Sequence, residues 1–120
     1  MIVRTECIFD AAHQIPNHPG KCARLHGHTW RVVIEVDGTV DTKTGMIVDF
    51  GDLKSIVRKF DHELVNQVVS FLPTAENLVE HFLGEIESLF AQKEVMCNCV
   101  TVEVWESADS YARDTITYSK

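Results

Sequence analysis

The sequence has no stretch approaching 18 uncharged apolar residues, so no segment reads as a membrane-spanning helix. Its first residues, Met1-Ile2-Val3-Arg4-Thr5-Glu6, lack the basic segment and apolar run of a secretory signal. Positive charge is scarce: 11 Lys and Arg stand against 18 Asp and Glu, for a formal net charge of −7. A non-specific nucleic-acid binder or a protein of anionic membranes needs the opposite balance. There are only three prolines and six glycines, with no linker, repeat or low-complexity tract. The four cysteines lack a secretory context, and reduced thiols are expected. What remains is a single soluble, cytoplasmic domain spanning residues 1–120, with 45% hydrophobic and 24% charged residues. A chain of this length can bury one core without a disulfide staple.

Residues 2–12 alternate as a strand, with Val3, Cys7, Phe9 and Ala11 on one face and Arg4, Glu6 and Asp10 on the other. Residues 14–25 hold two prolines and Gly20 and read as a loop. A second strand covers 26–37, with Trp30, Val32, Ile34 and Val36 facing one way. Residues 37–45 read as a turn. Leu53, Ile56, Val57 and Phe60 then follow helical spacing, with Asp49 or Asp52 as the cap. A second helix follows Pro73, with Thr74 as N-cap and an apolar stripe from Leu78 to Phe90. Val100, Val102 and Val104 alternate as a strand, and a last strand is expected over Arg113–Tyr118. The order β-β-α-α-β-β implies an α+β fold, an antiparallel sheet with two helices on one face.

Four of the six histidines fall within residues 13–28. His26 and His28 leave the same face of the second strand, and that face is the apolar one. His13 ends the first strand with the parity of Phe9 and Ala11. Pairing the two strands around the 14–25 loop would bring the three imidazoles together. Three neutral imidazoles suit zinc and leave a fourth position open. His18 reads as a solvated loop residue, and His81 as a surface residue on the polar side of the second helix.

Cys22 lies in the loop between the histidines, beside Lys21 and Arg24, whose charge favours the thiolate. The residues alone leave it as a fourth ligand, a base or nucleophile, or a loop cysteine. Cys97 and Cys99 lack further metal-ligand spacing and read as one packed and one exposed cysteine at a strand start. In Asp61-His62 a carboxylate adjoins an imidazole, a pairing used in acid–base chemistry. Glu106 continues the inward parity of Val100, Val102 and Val104, and a carboxylate there needs a partner. That partner is either a nearby Arg or Lys or a ligand offering two N–H donors, such as an aminopyrimidinone.

The ordered set Phe9-Asp10-Ala11-Ala12-His13, Cys22-Ala23-Arg24-Leu25-His26-Gly27-His28, Val48-Asp49-Phe50, Asp61-His62, Pro73-Thr74-Ala75-Glu76-Asn77-Leu78 and Trp105-Glu106-Ser107 resembles the 6-pyruvoyltetrahydropterin synthase family. The resemblance is colinear over almost the whole chain. Its C-x-x-x-H-G-H spacing is similar to the bacterial 6-carboxy-5,6,7,8-tetrahydropterin synthase branch. The resemblance implies a tunnelling fold assembled as a homohexamer of two stacked trimers. It implies zinc held by His13, His26 and His28, catalytic roles for Cys22, Asp61 and His62, and pterin binding by Glu106, with Thr74 nearby. The implied substrate is the pterin 7,8-dihydroneopterin 3′-triphosphate. The implied products are 6-carboxytetrahydropterin, acetaldehyde and triphosphate, on the route to 7-deazaguanine nucleosides such as queuosine. A synthase that leaves the side chain as a pyruvoyl group, and a non-catalytic zinc- or pterin-binding oligomer, are the alternatives.

Overall fold

A computed structural model describes residues 1–118, so the last two residues of the expected domain lie outside it. Alternation of apolar and polar residues drives two long strands, β1 (Ile2–His13) and β2 (His26–Gly38). They pair antiparallel with Phe9 opposite Trp30, Ala11 opposite His28 and His13 opposite His26. Further along the chain come α1 (Phe50–Arg58), β3 (Glu63–Leu64), α2 (Val65–Val68), α3 (Ala75–Lys93), β4 (Cys97–Ser107) and β5 (Ser110–Thr117). The sheet runs β3-β1-β2-β4-β5. The expected antiparallel arrangement holds for the four long strands, whereas β3 pairs parallel with β1 through Ala11 and Ala12.

One face of the sheet carries the core. Phe9, Trp30, Val32, Ile34, Val36, Val100, Val102 and Val104 meet Leu53 and Val57 of α1 and Leu78, Phe82 and Ile86 of α3, all buried. Phe9 stacks on Trp30 with ring planes 3° apart, and Phe60 meets Phe82 edge-on. The other face is polar, with Arg4, Glu6, Arg31 and Glu35 linked in ion pairs.

Both expected caps form. The Asp49 side chain accepts from the Gly51 N–H, and the Thr74 hydroxyl accepts from the Asn77 N–H. Capping moves the start of α1 back to Phe50, because Asp49 rather than Asp52 takes the role, and Phe60 lies past the helix end. The last strand starts at Ser110, earlier than expected, because β4 turns tightly through Ala108 and Asp109. His81 departs from its expected surface position. It is half-buried, with its ring 5.5 Å from both Phe60 and Phe71 and 5.7 Å from Phe82. The segments flanking α3 widen its covered arc beyond its own apolar stripe, and burial pushes the His81 pKa down.

Replacing Thr74 by Ala is expected to lower the unfolding free energy by about 1 kcal/mol, while Thr74→Ser retains most of it. Urea denaturation measures both; an unchanged midpoint for the alanine variant would show that the cap is not holding α3.

Candidate metal centre and acid–base pair

The β1–β2 register sets the site. His13, His26 and His28 project from the apolar face at the loop end of the hairpin, with ring centroids 4.5 to 5.0 Å apart. Beneath them the Trp30 ring stands edge-on to His13 and His28, and its indole N–H donates to the Ala11 carbonyl. Glu106 reaches the same point from β4. The register between β4 and β5 shifts from Trp105 to Ser107, leaving Glu106 at an irregularity that frees it from the ladder. Its Oε1 lies 3.0 Å from His28 Nε2 and 3.7 Å from His13 Nε2. One ligand atom from each of these four residues falls within 4.8 Å of the others.

Backbone carbonyls orient two of the rings. His13 Nδ1 lies 2.8 Å from the Pro73 carbonyl and His26 Nδ1 lies 2.7 Å from the Arg24 carbonyl. A carbonyl only accepts, so each Nδ1 carries the proton and each Nε2 keeps its lone pair. Burial holds His13 and His28 below the ordinary histidine pKa, which favours neutral rings. The Nε2 atoms of His13 and His28 are buried without a hydrogen-bond partner, Glu106 approaching them outside hydrogen-bond geometry. Such orphaned atoms each cost about 1–3 kcal/mol. A cation bound between them would satisfy both, so this donor set fits a metal. Three borderline imidazole donors, with a hard carboxylate at their edge, suit a first-row divalent ion.

Of the two partners the sequence left open for Glu106, no Arg or Lys pairs with it among the described residues; it lies beside imidazoles. It also borders a cavity of about 410 Å³ with Ala75, Glu76, Tyr111 and Arg113. Cys22 sits half-buried in a single 3-10 turn, Lys21–Ala23, as a free thiol. Glu106, and not Cys22, reaches the three imidazoles. His18 stays in the exposed loop, accepting from the Gly20 N–H. Thr74 acts on α3 as its cap, while the carbonyl just before it holds His13.

Asp61 and His62 pack against the edge of β1. The Asp10 N–H donates to Asp61 Oδ1 at 2.9 Å, and the His62 N–H donates to the Asp10 carbonyl at 2.7 Å. These bonds fix His62 at φ 62°, a left-handed conformation that a bulky residue adopts only when its surroundings impose it. Asp61 Oδ2 lies 3.1 Å from His62 Nδ1, within ion-pair distance but outside hydrogen-bond geometry, although the two are neighbours in sequence. The Asp10 N–H, and after it the His62 ring, hold the Asp61 carboxyl below its usual range. The remaining His62 surface is exposed and lines a cavity of about 580 Å³ that His28, Asp10 and Thr29 also border. Of the pair only His62 lines this cavity, and of the imidazole cluster only His28. Sequence reasoning missed Asp10 and the Pro73 and Arg24 carbonyls, because a backbone contact leaves no residue-type signal.

The sequence signature described as 6-pyruvoyl tetrahydropterin synthase matches residues 2–115. The chain belongs to that family. A 6-carboxy-5,6,7,8-tetrahydropterin synthase of Synechocystis sp. is 34% identical over 122 residues, covering 93% of this chain and 91% of that one. The Bacillus subtilis protein of the same name is 36% identical over 112 residues, covering 86% of this chain and 77% of its own. An Archaeoglobus fulgidus protein that carries the name provisionally is 40% identical over 116 residues, covering 93% of each chain. Among solved structures, the 6-pyruvoyl tetrahydropterin synthase of Caenorhabditis elegans superposes with a TM-score of 0.68 at 25% identity, over 99% of this chain and 97% of that one. These members share the α+β tunnelling fold.

Zinc supplied at a hundredfold its dissociation constant is expected to stabilise the chain by about 2.7 kcal/mol. The variant with both His26→Ala and His28→Ala should show no such gain, and Cys22→Ala should retain it. Thermal melts with and without zinc decide the matter, and a full gain in the double variant would remove the imidazoles as ligands.

Proposed function

We propose that this chain is a zinc-dependent 6-carboxy-5,6,7,8-tetrahydropterin synthase, a carbon–carbon lyase. It takes 7,8-dihydroneopterin 3′-triphosphate and water to 6-carboxytetrahydropterin, acetaldehyde and triphosphate, a step toward 7-deazaguanine nucleosides such as queuosine. The observation that carries this reading is the convergence of three imidazoles, two of them with buried Nε2 atoms that lack partners. The names of the Synechocystis and B. subtilis relatives, which state the product of those enzymes, support the pterin chemistry.

His13, His26 and His28 hold the zinc. When bound, the ion supplies Lewis acidity toward the side-chain oxygens of the substrate. Cys22, as thiolate, takes a proton from the substrate side chain. His62 gives or takes a second proton at Nε2, while Asp61 holds Nδ1 and stabilises the charged ring. Glu106 accepts hydrogen bonds from the pterin amide and amino groups and fixes the ring against these bases. Its place beside the 410 Å³ cavity, next to the start of α3 and Thr74, supports that role. Lys21 and Arg24, both exposed, are the nearby cations for the departing triphosphate.

The working assembly is a homohexamer of two stacked trimers. Support comes from the sheet itself, whose β5 and most of β1 have unpaired outer edges among the described residues. Four free thiols support work in the reducing cytoplasm. In the same residues, no helix is long and apolar enough to cross a membrane.

Incubating the zinc-loaded protein with 7,8-dihydroneopterin triphosphate should give 6-carboxytetrahydropterin and an equal amount of trapped acetaldehyde by mass spectrometry. A pyruvoyl product without acetaldehyde would assign the other chemistry that the family name describes, on the same residues. No turnover by folded, zinc-loaded protein would leave a binding protein. Cys22→Ala is expected to lower turnover by about 10²-fold or more while bound zinc stays constant. Loss of zinc in that variant would make Cys22 a ligand instead.

A further inference from the structure

Residues 61–66 run along β1 like a short zipper, and its last clasp is a side chain. Asp10 bonds Asp61 and His62 through its N–H and carbonyl. Glu63 and Leu64 then pair in parallel with Ala11 and Ala12. At Val65 the chain turns into α2, and its backbone leaves the strand. Asn66 takes over: its Oδ1 accepts from the Gln14 N–H at 2.9 Å, and its Nδ2 donates to the Gln14 carbonyl at 2.9 Å. A primary amide offers the same donor and acceptor as a peptide group, so Asn66 stands in for one more strand residue.

The residue it grips is central to the site. Gln14 directly follows His13 and precedes Ile15, whose N–H donates to the Cys22 carbonyl at 2.7 Å. None of residues 14–25 is buried, so packing does little to fix this loop and its hydrogen bonds must. Asn66 itself is only half-buried, off the core formed by Phe9, Trp30 and Phe82.

We propose that Asn66 is a positioning residue, whose amide clamp on Gln14 sets the path of the chain leaving His13 and, through Ile15, places Cys22 relative to the three imidazoles. The clamp also ties the segment bearing His62 to the loop bearing Cys22, so both proposed bases are referred to one strand. The inference rests on the roles given to Cys22 and the histidines under the proposed function.

Three forms of the full chain test it: wild type, Asn66→Ala and Asn66→Asp. Aspartate keeps an acceptor for the Gln14 N–H but sets an oxygen against the Gln14 carbonyl. The metal-free proteins are treated with iodoacetamide at one pH, and the labelling rate of each cysteine is read by peptide mass spectrometry. Cys22 should label roughly five- to tenfold faster in Asn66→Ala and by a smaller factor in Asn66→Asp, the scale that two partly exposed hydrogen bonds allow. Cys7, Cys97 and Cys99 should label at unchanged rates. Zinc affinity, by competition with a coloured chelator, should fall about tenfold in Asn66→Ala. Equal Cys22 rates in wild type and Asn66→Ala overturn the proposal. So does a rise at all four cysteines together, because it reports general destabilisation. The labelling needs neither zinc nor turnover, so a wild-type chain that makes no pterin product would defeat the proposed function without touching this result.

Discussion

The pairing register of β1 with β2 is the constraint on which the rest of the site depends. His13 faces His26 and Ala11 faces His28, so three imidazoles share the apolar side of one hairpin end. A slip by one residue would turn a whole strand over, sending His26 and His28 to the polar face and Trp30 out of the core. The stacked pair of Phe9 and Trp30 opposes any such slip, since both rings are almost wholly buried. The same aromatic contact that stabilises the sheet therefore fixes the geometry of the polar cluster.

That cluster is costly in the absence of a cation. A fully buried His13, two orphaned Nε2 atoms and a carboxylate drawn among neutral rings all oppose folding. The surrounding structure offsets part of this with the Pro73 carbonyl at His13 Nδ1 and the Arg24 carbonyl at His26 Nδ1. His62 is a second point of stored strain, held left-handed by two bonds to Asp10 and its own segment. His28 from the cluster and the strained His62 border one cavity.

Legibility in the sequence followed how local each cause was. The inward parity of His13, His26, His28 and Glu106 could be read by counting in twos, and the α3 stripe by counting in threes and fours. The caps at Asp49 and Thr74 were legible because a side chain bonds a backbone group two or three residues away. By contrast, β3 and α2 are too short for any period to register. His81 was misplaced because Phe60 and Phe71, which cover it, lie outside its own helix. The resemblance pointed to Asp61 and His62, yet their direct contact depends on Asp10, far away along the chain.

By itself, then, the sequence determined which faces are apolar, the order of the long elements, and that three histidines and a glutamate point inward. These follow from backbone geometry that repeats every two or 3.6 residues. Only the tertiary structure decided that Glu106 meets His28 rather than a cation, and that the Pro73 and Arg24 carbonyls choose the ring tautomers. It also decided that Asn66 would grip Gln14. Each of these joins groups from separate elements, and many rely on backbone atoms that every residue shares. No periodicity in the chain encodes such a meeting; the packed sheet and helices bring it about.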